Sequence, residues 1–136
     1  MSQADPELQA LSQMMMEIES RLEVLHGELQ NLQMIKEDVE MAILSMESIS
    51  TETTIQVPLG SETYVRASVV NDDEFIVGIG GNYSQGQNKE QAKILLTERS
   101  QTVTSRMENV SKAIEELKDQ GVKLGQQAQE QFSNLQ

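Results

Sequence analysis

Apolar residues in the first third of the chain recur at alternating steps of three and four: Leu8, Leu11, Met15, Ile18, Leu22, Leu25, Leu29, Leu32, then Val39, Ile43 and Met46. With Leu8 at position a of a heptad, eleven of thirteen successive a and d positions are apolar, the exceptions being Lys36 and Ser50. Near Lys36 the stripe widens, because Ile35, Ala42 and Ile49 occupy g. A seam kept over so many heptads predicts a coiled-coil helix. Asp5-Pro6 offers an N-cap followed by proline at the first helical position. The helix is therefore expected from about Pro6 to about Ile49, a length of about 65 Å.

The last third repeats the pattern less cleanly. Leu96, Val103, Met107, Val110, Ile114, Leu117, Leu124, Ala128 and Leu135 fall on a and d, while Ser100, Gly121 and Gln131 interrupt. Asn88 with Gln91 three residues later has the form of a capping box, so a second helix should begin there. Gly121 and Gly125 each cost about 1 kcal/mol of helix propensity relative to Ala, which makes the far end of this helix the softer one.

Between the helices the period changes to two. Ile55, Val57 and Leu59 alternate with polar residues, and Pro58-Leu59-Gly60-Ser61 is expected to turn the chain. Val65, Ala67 and Val69 alternate next, Asn71-Asp72-Asp73 turns, and Phe75, Val77 and Ile79 form a third run. Gly80-Gly81-Asn82 makes a last turn before a brief fourth strand in Asn82–Gly86. Two β-hairpins result, with Pro58 confining its strand end to an edge or a turn. The expected fold is α+β: a long antiparallel two-helix coiled coil joined by two β-hairpins. The single domain divides into a helical region 6–50, a hairpin region 51–87 and a second helical region 88–136. Antiparallel pairing follows residue numbers that sum to about 139, placing Met15 beside Leu124 and Leu8 beside Gln131. Isolated hairpins are barely stable and leave open edges, so other chains are expected to complete an oligomeric β-barrel.

The methionines add to this picture. Met14, Met15 and Met16 are consecutive, so their side chains leave the helix about 100° apart and only Met15 sits on the seam. Met14 (position g) and Met16 (position b) are surplus to core packing. A soft, polarisable apolar surface of this kind suits a protein that binds many unrelated partners. On the second helix Phe132 adds a large apolar side chain off the seam, close to the same end.

Charge and composition exclude several function classes. The net charge of −12 divides as −8 over residues 1–50, −4 over 51–88 and zero over 89–136. So acidic a chain repels phosphate backbones, and no nucleic-acid partner is expected. Cysteine is absent, which removes disulfides and thiolate metal sites. No apolar run approaches the roughly 20 residues that span a bilayer, so no membrane association is expected. The start, "MSQADPELQ", lacks the basic and apolar regions of a signal peptide, so the expected location is cytoplasmic.

Nor does the chain offer reactive chemistry. In "GIGGNYSQGQN" Tyr83 stands where a dinucleotide fingerprint needs its third glycine. Gln87 and Asn88 stand where a phosphate loop needs Lys and Ser or Thr. Asp72, Asp73 and Glu74 lack the spacing of a calcium loop and read as a solvated turn. His26, the one histidine, lies beside the seam with no second ligand or nucleophile near it in sequence. No enzyme, cofactor or metal is expected.

The layout and the segment "VPLGSETYVRASVVNDDEFIVGIGGNYSQGQNKEQA", residues 57 to 92, resemble prefoldin, its α-type subunits in particular. The likeness lies in the V-P-L-G opening, the aliphatic second strand, the acidic turn, the V-G-x-G end of the third strand and the E-x-A start of the second helix. The resemblance covers the whole chain, and a middle of two hairpins matches the α class.

The resemblance implies an ATP-independent molecular chaperone, a holdase, of two α-type and four β-type subunits. Their hairpins would join in a double β-barrel; their coiled-coil ends would capture non-native proteins and deliver them to a group II chaperonin. The residues expected to bind such clients are Leu8, Leu11, Met14, Met15, Met16 and Ile18, with Leu124, Ala128, Phe132 and Leu135 opposite. Those expected to serve subunit assembly are Ile55, Val57, Val65, Ala67, Val69, Phe75, Val77 and Ile79. A coiled-coil scaffold or adaptor that tethers defined partners is the alternative reading.

Overall fold

In the computed structural model, which describes residues 6–134, the chain runs α1 (Pro6–Ser48), β1 (Thr54–Gly60), β2 (Thr63–Ser68), β3 (Phe75–Gly80), β4 (Tyr83–Gln87) and α2 (Lys89–Asn134). The proposed cap at Asp5 and the seam position Leu135 lie outside the described residues. α1 ends one residue short of the expected boundary. α2 begins where the capping box places it: Asn88 Oδ1 accepts the Gln91 N–H at 2.8 Å, and Gln91 Oε1 accepts the Asn88 N–H at 3.3 Å. The helix continues through Gly121 and Gly125 without a break.

The strands form two separate two-stranded antiparallel sheets, β1–β2 and β3–β4. The first reversal falls later than expected. β1 continues through Pro58, which pairs with Tyr64, and the chain turns at Ser61-Glu62. Proline is tolerated because in a two-stranded sheet every strand is an edge, and its missing N–H interrupts no further ladder.

The two hairpins share one design, twenty residues apart. Val57 pairs with Val65 and Gly60 with Thr63 in the first; Val77 pairs with Gln85 and Gly80 with Tyr83 in the second. Each has a register shift just before its turn, between Pro58 and Gly60 or between Gly78 and Gly80. Both two-residue turns have positive φ throughout, 49° and 60° at Ser61 and Glu62, 58° and 64° at Gly81 and Asn82. That is the type I′ geometry whose twist matches the strands. Gly-Asn suits it; Ser-Glu does not.

Two compact units divide the chain. One consists of α1 up to residue 35 with α2 from residue 103. Its interior is the seam: Leu11, Ile18, Val110 and Ile114 are buried, and Leu22, Leu25, Leu29, Leu32, Val103, Met107 and Leu117 are half-buried. The pairing is antiparallel, as three contacts show. A Cβ on Gly121 would meet Ile18 Cγ2 at 3.7 Å, Arg106 bonds Glu28, and Gln131 Nε2 donates to the Glu7 carboxylate. The Gly121–Ile18 contact matches the register expected from the sequence.

The other unit, residues 36–102, holds the hairpins and the adjoining helix ends. Its core joins Met46 of α1, Val77 of β3, and Ala92 and Leu96 of α2, with Val39, Ala42, Ile43, Phe75 and Leu95 packed around them. The second hairpin thus lies on the helix ends with one face down. In β3 the alternation is visible: Val77 is 7 % exposed, whereas its neighbour Ile76 is 81 % exposed. No residue of the first hairpin belongs to this core.

Candidate functional site

Two apolar surfaces emerge, one in each unit. The first lies on the helix pair around Glu7 and Gln131, and the heptad register decides which side chains it shows. Leu11 and Ile18 are buried in the seam, and Leu8, Met15, Leu124 and Ala128 are half-buried there. These six hold the helices together. Met14, Met16 and Phe132 stand outside it, 50, 64 and 58 % exposed. Leu135 lies outside the described residues. The expected set therefore separates into a structural group and a smaller exposed group of three.

Further along the same helix pair, a groove of about 480 Å³ opens beside the seam. Val24, Leu25, Ala113 and Leu117 line it, with Ser20, Arg21, Glu116 and Gln120 around them. Val24 is well exposed and was not among the expected residues, although its place at position c, off the seam, marks it. Met34, Met41 and Leu44 also sit off the seam and are exposed.

The second surface is on the hairpins. Cross-strand partners share a face, so the pairs Ile55–Ala67 and Val57–Val65 gather four apolar side chains on one side of the first hairpin. Ile55, Val57 and Val65 are exposed, and Ala67 and Val69 are half-buried. The corresponding face of the second hairpin carries Phe75 and Val77, and it is already covered by the chain's own helices. Val77 and Phe75 thus contribute to the chain's own core, while Ile79 is exposed. The difference between two hairpins of one design is that only the first has its apolar face uncovered.

The acidic turn between the hairpins has a part that sequence reading missed. Asp72 Oδ2 accepts the Thr51 N–H at 3.2 Å, just beyond α1. Asp73 Oδ1 accepts the Lys89 N–H at 3.0 Å, in the first turn of α2. Asn71 Oδ1 accepts the Asp73 N–H at 2.9 Å and sets the turn. These carboxylates tie the linker to both helix ends. An Arg99–Gly78 carbonyl bond and a Lys93–Glu47 ion pair add to the same unit. Lys93 holds the Glu47 carboxyl below the usual range, first through their hydrogen bond and then through its charge.

No set of three or more His, Cys, Asp or Glu that could hold a metal occurs among the described residues, and no helix there is long and apolar enough to cross a membrane.

Comparison with known proteins agrees with this geometry. The family model described as prefoldin subunit matches residues 11–133. Prefoldin subunit alpha of Halorubrum lacusprofundi is 42 % identical over 71 residues, 52 % of this chain and 47 % of that protein. Prefoldin subunit alpha of Thermofilum pendens is 32 % identical over 104 residues, 71 % of this chain and 81 % of that one. The matched region spans about half the length of the relatives from Halorubrum lacusprofundi and Halobacterium salinarum. Among solved structures, the filamentous prefoldin of Methanocaldococcus jannaschii superposes with a TM-score of 0.74 at 20 % identity, covering 85 % of this chain and 98 % of that one. The prefoldin beta subunit of Thermococcus strain KS-1 gives 0.66 at 16 % identity, covering 96 % of each. At such identities these two likenesses establish the fold, two long helices with hairpins between them. The family match and the alpha-subunit relatives go further: the chain belongs to the prefoldin family, as a subunit of the alpha type.

Proposed function

We propose that the chain is a subunit of an ATP-independent chaperone that holds non-native proteins at the helix-pair end around Glu7 and Gln131 and delivers them to a group II chaperonin. It works in the cytoplasm, without a cofactor, as part of an α2β4 hexamer whose β-type subunits join it through the hairpins. The observation that carries this reading is the exposure of Met14, Met16 and Phe132 on a helix pair whose seam is otherwise closed.

Full burial of a Met or Leu side chain is worth about 1.5–3 kcal/mol. A few such contacts on one helix pair are largely offset by the cost of association and ordering, so one pair binds weakly. Several pairs acting on one client raise the effective affinity while each contact stays quickly reversible. Such reversibility suits a protein that passes its client on. The acidic surface of α1 keeps exposed apolar ends apart between events.

Co-expression with a β-type subunit and native mass measurement test the assembly. An α2β4 mass is expected; a lone dimer would favour the scaffold reading. Deleting the first 18 or so residues should abolish suppression of client aggregation and leave the hexamer intact.

A further inference from the structure

Cysteine is absent from the chain, so its only sulfur sits in methionine thioethers. The fold sorts these into two groups. Met46 is buried in the core of the hairpin unit, and Met15 and Met107 are half-buried in the seam. Met14, Met16, Met34 and Met41 stand off the seam, all on α1; Met34 and Met41, at 68 and 63 %, are no less exposed than Met14 and Met16. Exposure alone therefore leaves four thioethers open to reagents from solvent. Place divides them again. Met34 and Met41 both take heptad position f, on the side of α1 opposite the seam. Met14 and Met16 lie with Phe132 at the end that carries the proposed client site.

Hydrogen peroxide oxidises a thioether directly. The sulfur attacks one peroxide oxygen, an S–O bond forms, the O–O bond breaks, and the other oxygen leaves as water with both protons. Sulfur loses the electron pair that the peroxide gains. A polar sulfoxide then replaces a soft apolar group, which removes the property that suits Met14 and Met16 to unrelated partners. We propose that Met14 and Met16 are a reversible oxidation site, at which peroxide switches client holding off and reduction of the sulfoxides switches it on again. The seam takes no part, because Met15, Met46 and Met107 are shielded, so the helix pair and the hairpins outlast the modification. Met34 and Met41 are oxidised as well, away from the client. This inference rests on the client-binding reading above and names a regulation of that site.

The test treats the full chain with hydrogen peroxide, removes the reagent and assembles hexamers with an untreated β-type subunit. Peptide mass mapping should find oxygen added to Met14 and Met16 before Met15, and at least about fivefold faster than to Met46. Native mass and helicity should stay unchanged, while the chaperone concentration needed for half-protection of an unfolded protein rises at least about fivefold. Methionine sulfoxide reductases, one for each sulfoxide epimer, should restore protection. Each variant is compared with its own untreated form: M34L/M41L should lose protection as wild type does, and M14L/M16L should keep its starting level. Oxidation of Met14 and Met16 no faster than that of Met46, or an equal loss in M14L/M16L, would overturn the proposal and leave client binding standing. A changed native mass or helicity would also overturn it, since the fold would then be the target. So would complete oxidation of Met14 and Met16 with protection unchanged; if M14S/M16S/F132S also protects undiminished, the client-binding reading falls with it.

Discussion

The carboxylate of Asp73 accepts the backbone N–H of Lys89, sixteen residues later and in the first turn of α2, at 3.0 Å. The first four N–H groups of a helix have no partner within it. Asn88 serves the N–H of Gln91, and Asp73 serves that of Lys89 from a different segment of chain. The same bond therefore caps α2 and fixes the linker between the hairpins. Replacing Asp73 by Ala should lower stability by about 0.5–2 kcal/mol, as for other lost caps. D73N, which keeps an oxygen acceptor but loses the charge favoured at a helix start, should cost less. Thermal unfolding of the two variants side by side measures the difference.

The first hairpin turns on Ser61 and Glu62, both at positive φ, where the second uses Gly81 and Asn82. Side chains with a Cβ are disfavoured there, so E62G should relieve strain and stabilise the hairpin by about 1 kcal/mol, net of glycine's added freedom in the unfolded chain. This hairpin has no residue in the core, so the gain should be local. Amide exchange in β1 and β2 should slow roughly fivefold, with little change in the helices.

Gly121 lies within the second half of α2, and a Cβ there would meet Ile18 at an ordinary contact distance of 3.7 Å. At Gly125 it would meet nothing within 4 Å. Neither glycine has positive φ. The double variant G121A/G125A should therefore gain about 1–2 kcal/mol from helix propensity alone, read as a higher denaturation midpoint. A loss would mean that close approach at Ile18 matters more than propensity.

Glu47 is paired with Lys93, whose hydrogen bond and charge lower its pKa; Lys89 adds a smaller effect. A carboxylate whose pKa is lower in the folded state adds stability above its unfolded value, about 4.3. That stability is lost as pH falls through the folded value. Wild type should consequently lose more stability between pH 5 and pH 3 than K93M, and the gap should shrink in high salt because the pair is exposed. Denaturation curves at the two pH values provide the comparison.

The helices were legible because their signal is long. Every seam position of α1 from Leu8 to Met46 is buried or half-buried as the heptad assigns it, Lys36 included. The capping box at Asn88 and Gln91 was legible for a different reason: both partners lie within four residues. The hairpins were readable in kind, but the first turn was displaced to Ser61-Glu62, because proline and glycine mark a turn only approximately when a bulge precedes it. What could not be read was contact over distance. Nothing in the sequence of Asp72 and Asp73 says that their carboxylates meet backbone amides at both helix ends. Alternation puts Phe75 and Val77 on one face and Ile76 on the other, but only the packing shows which face meets the helices. Likewise six of the expected client residues are apolar because the seam needs them.

Met14, Met16 and Phe132 are the residues proposed to bind non-native protein, whereas the seam residues beside them are buried or half-buried between the helices. The variant M14S/M16S/F132S leaves the seam and hairpins untouched. Built into a hexamer with β-type subunits, it should be assayed for suppression of aggregation of a chemically unfolded protein, with native mass and helicity as controls. With about 1.5–3 kcal/mol at stake for each fully buried side chain, normal mass and helicity should accompany at least about a fivefold rise in the chaperone concentration needed for half-protection. Undiminished protection by the intact variant hexamer would contradict the assignment of client binding to these three residues.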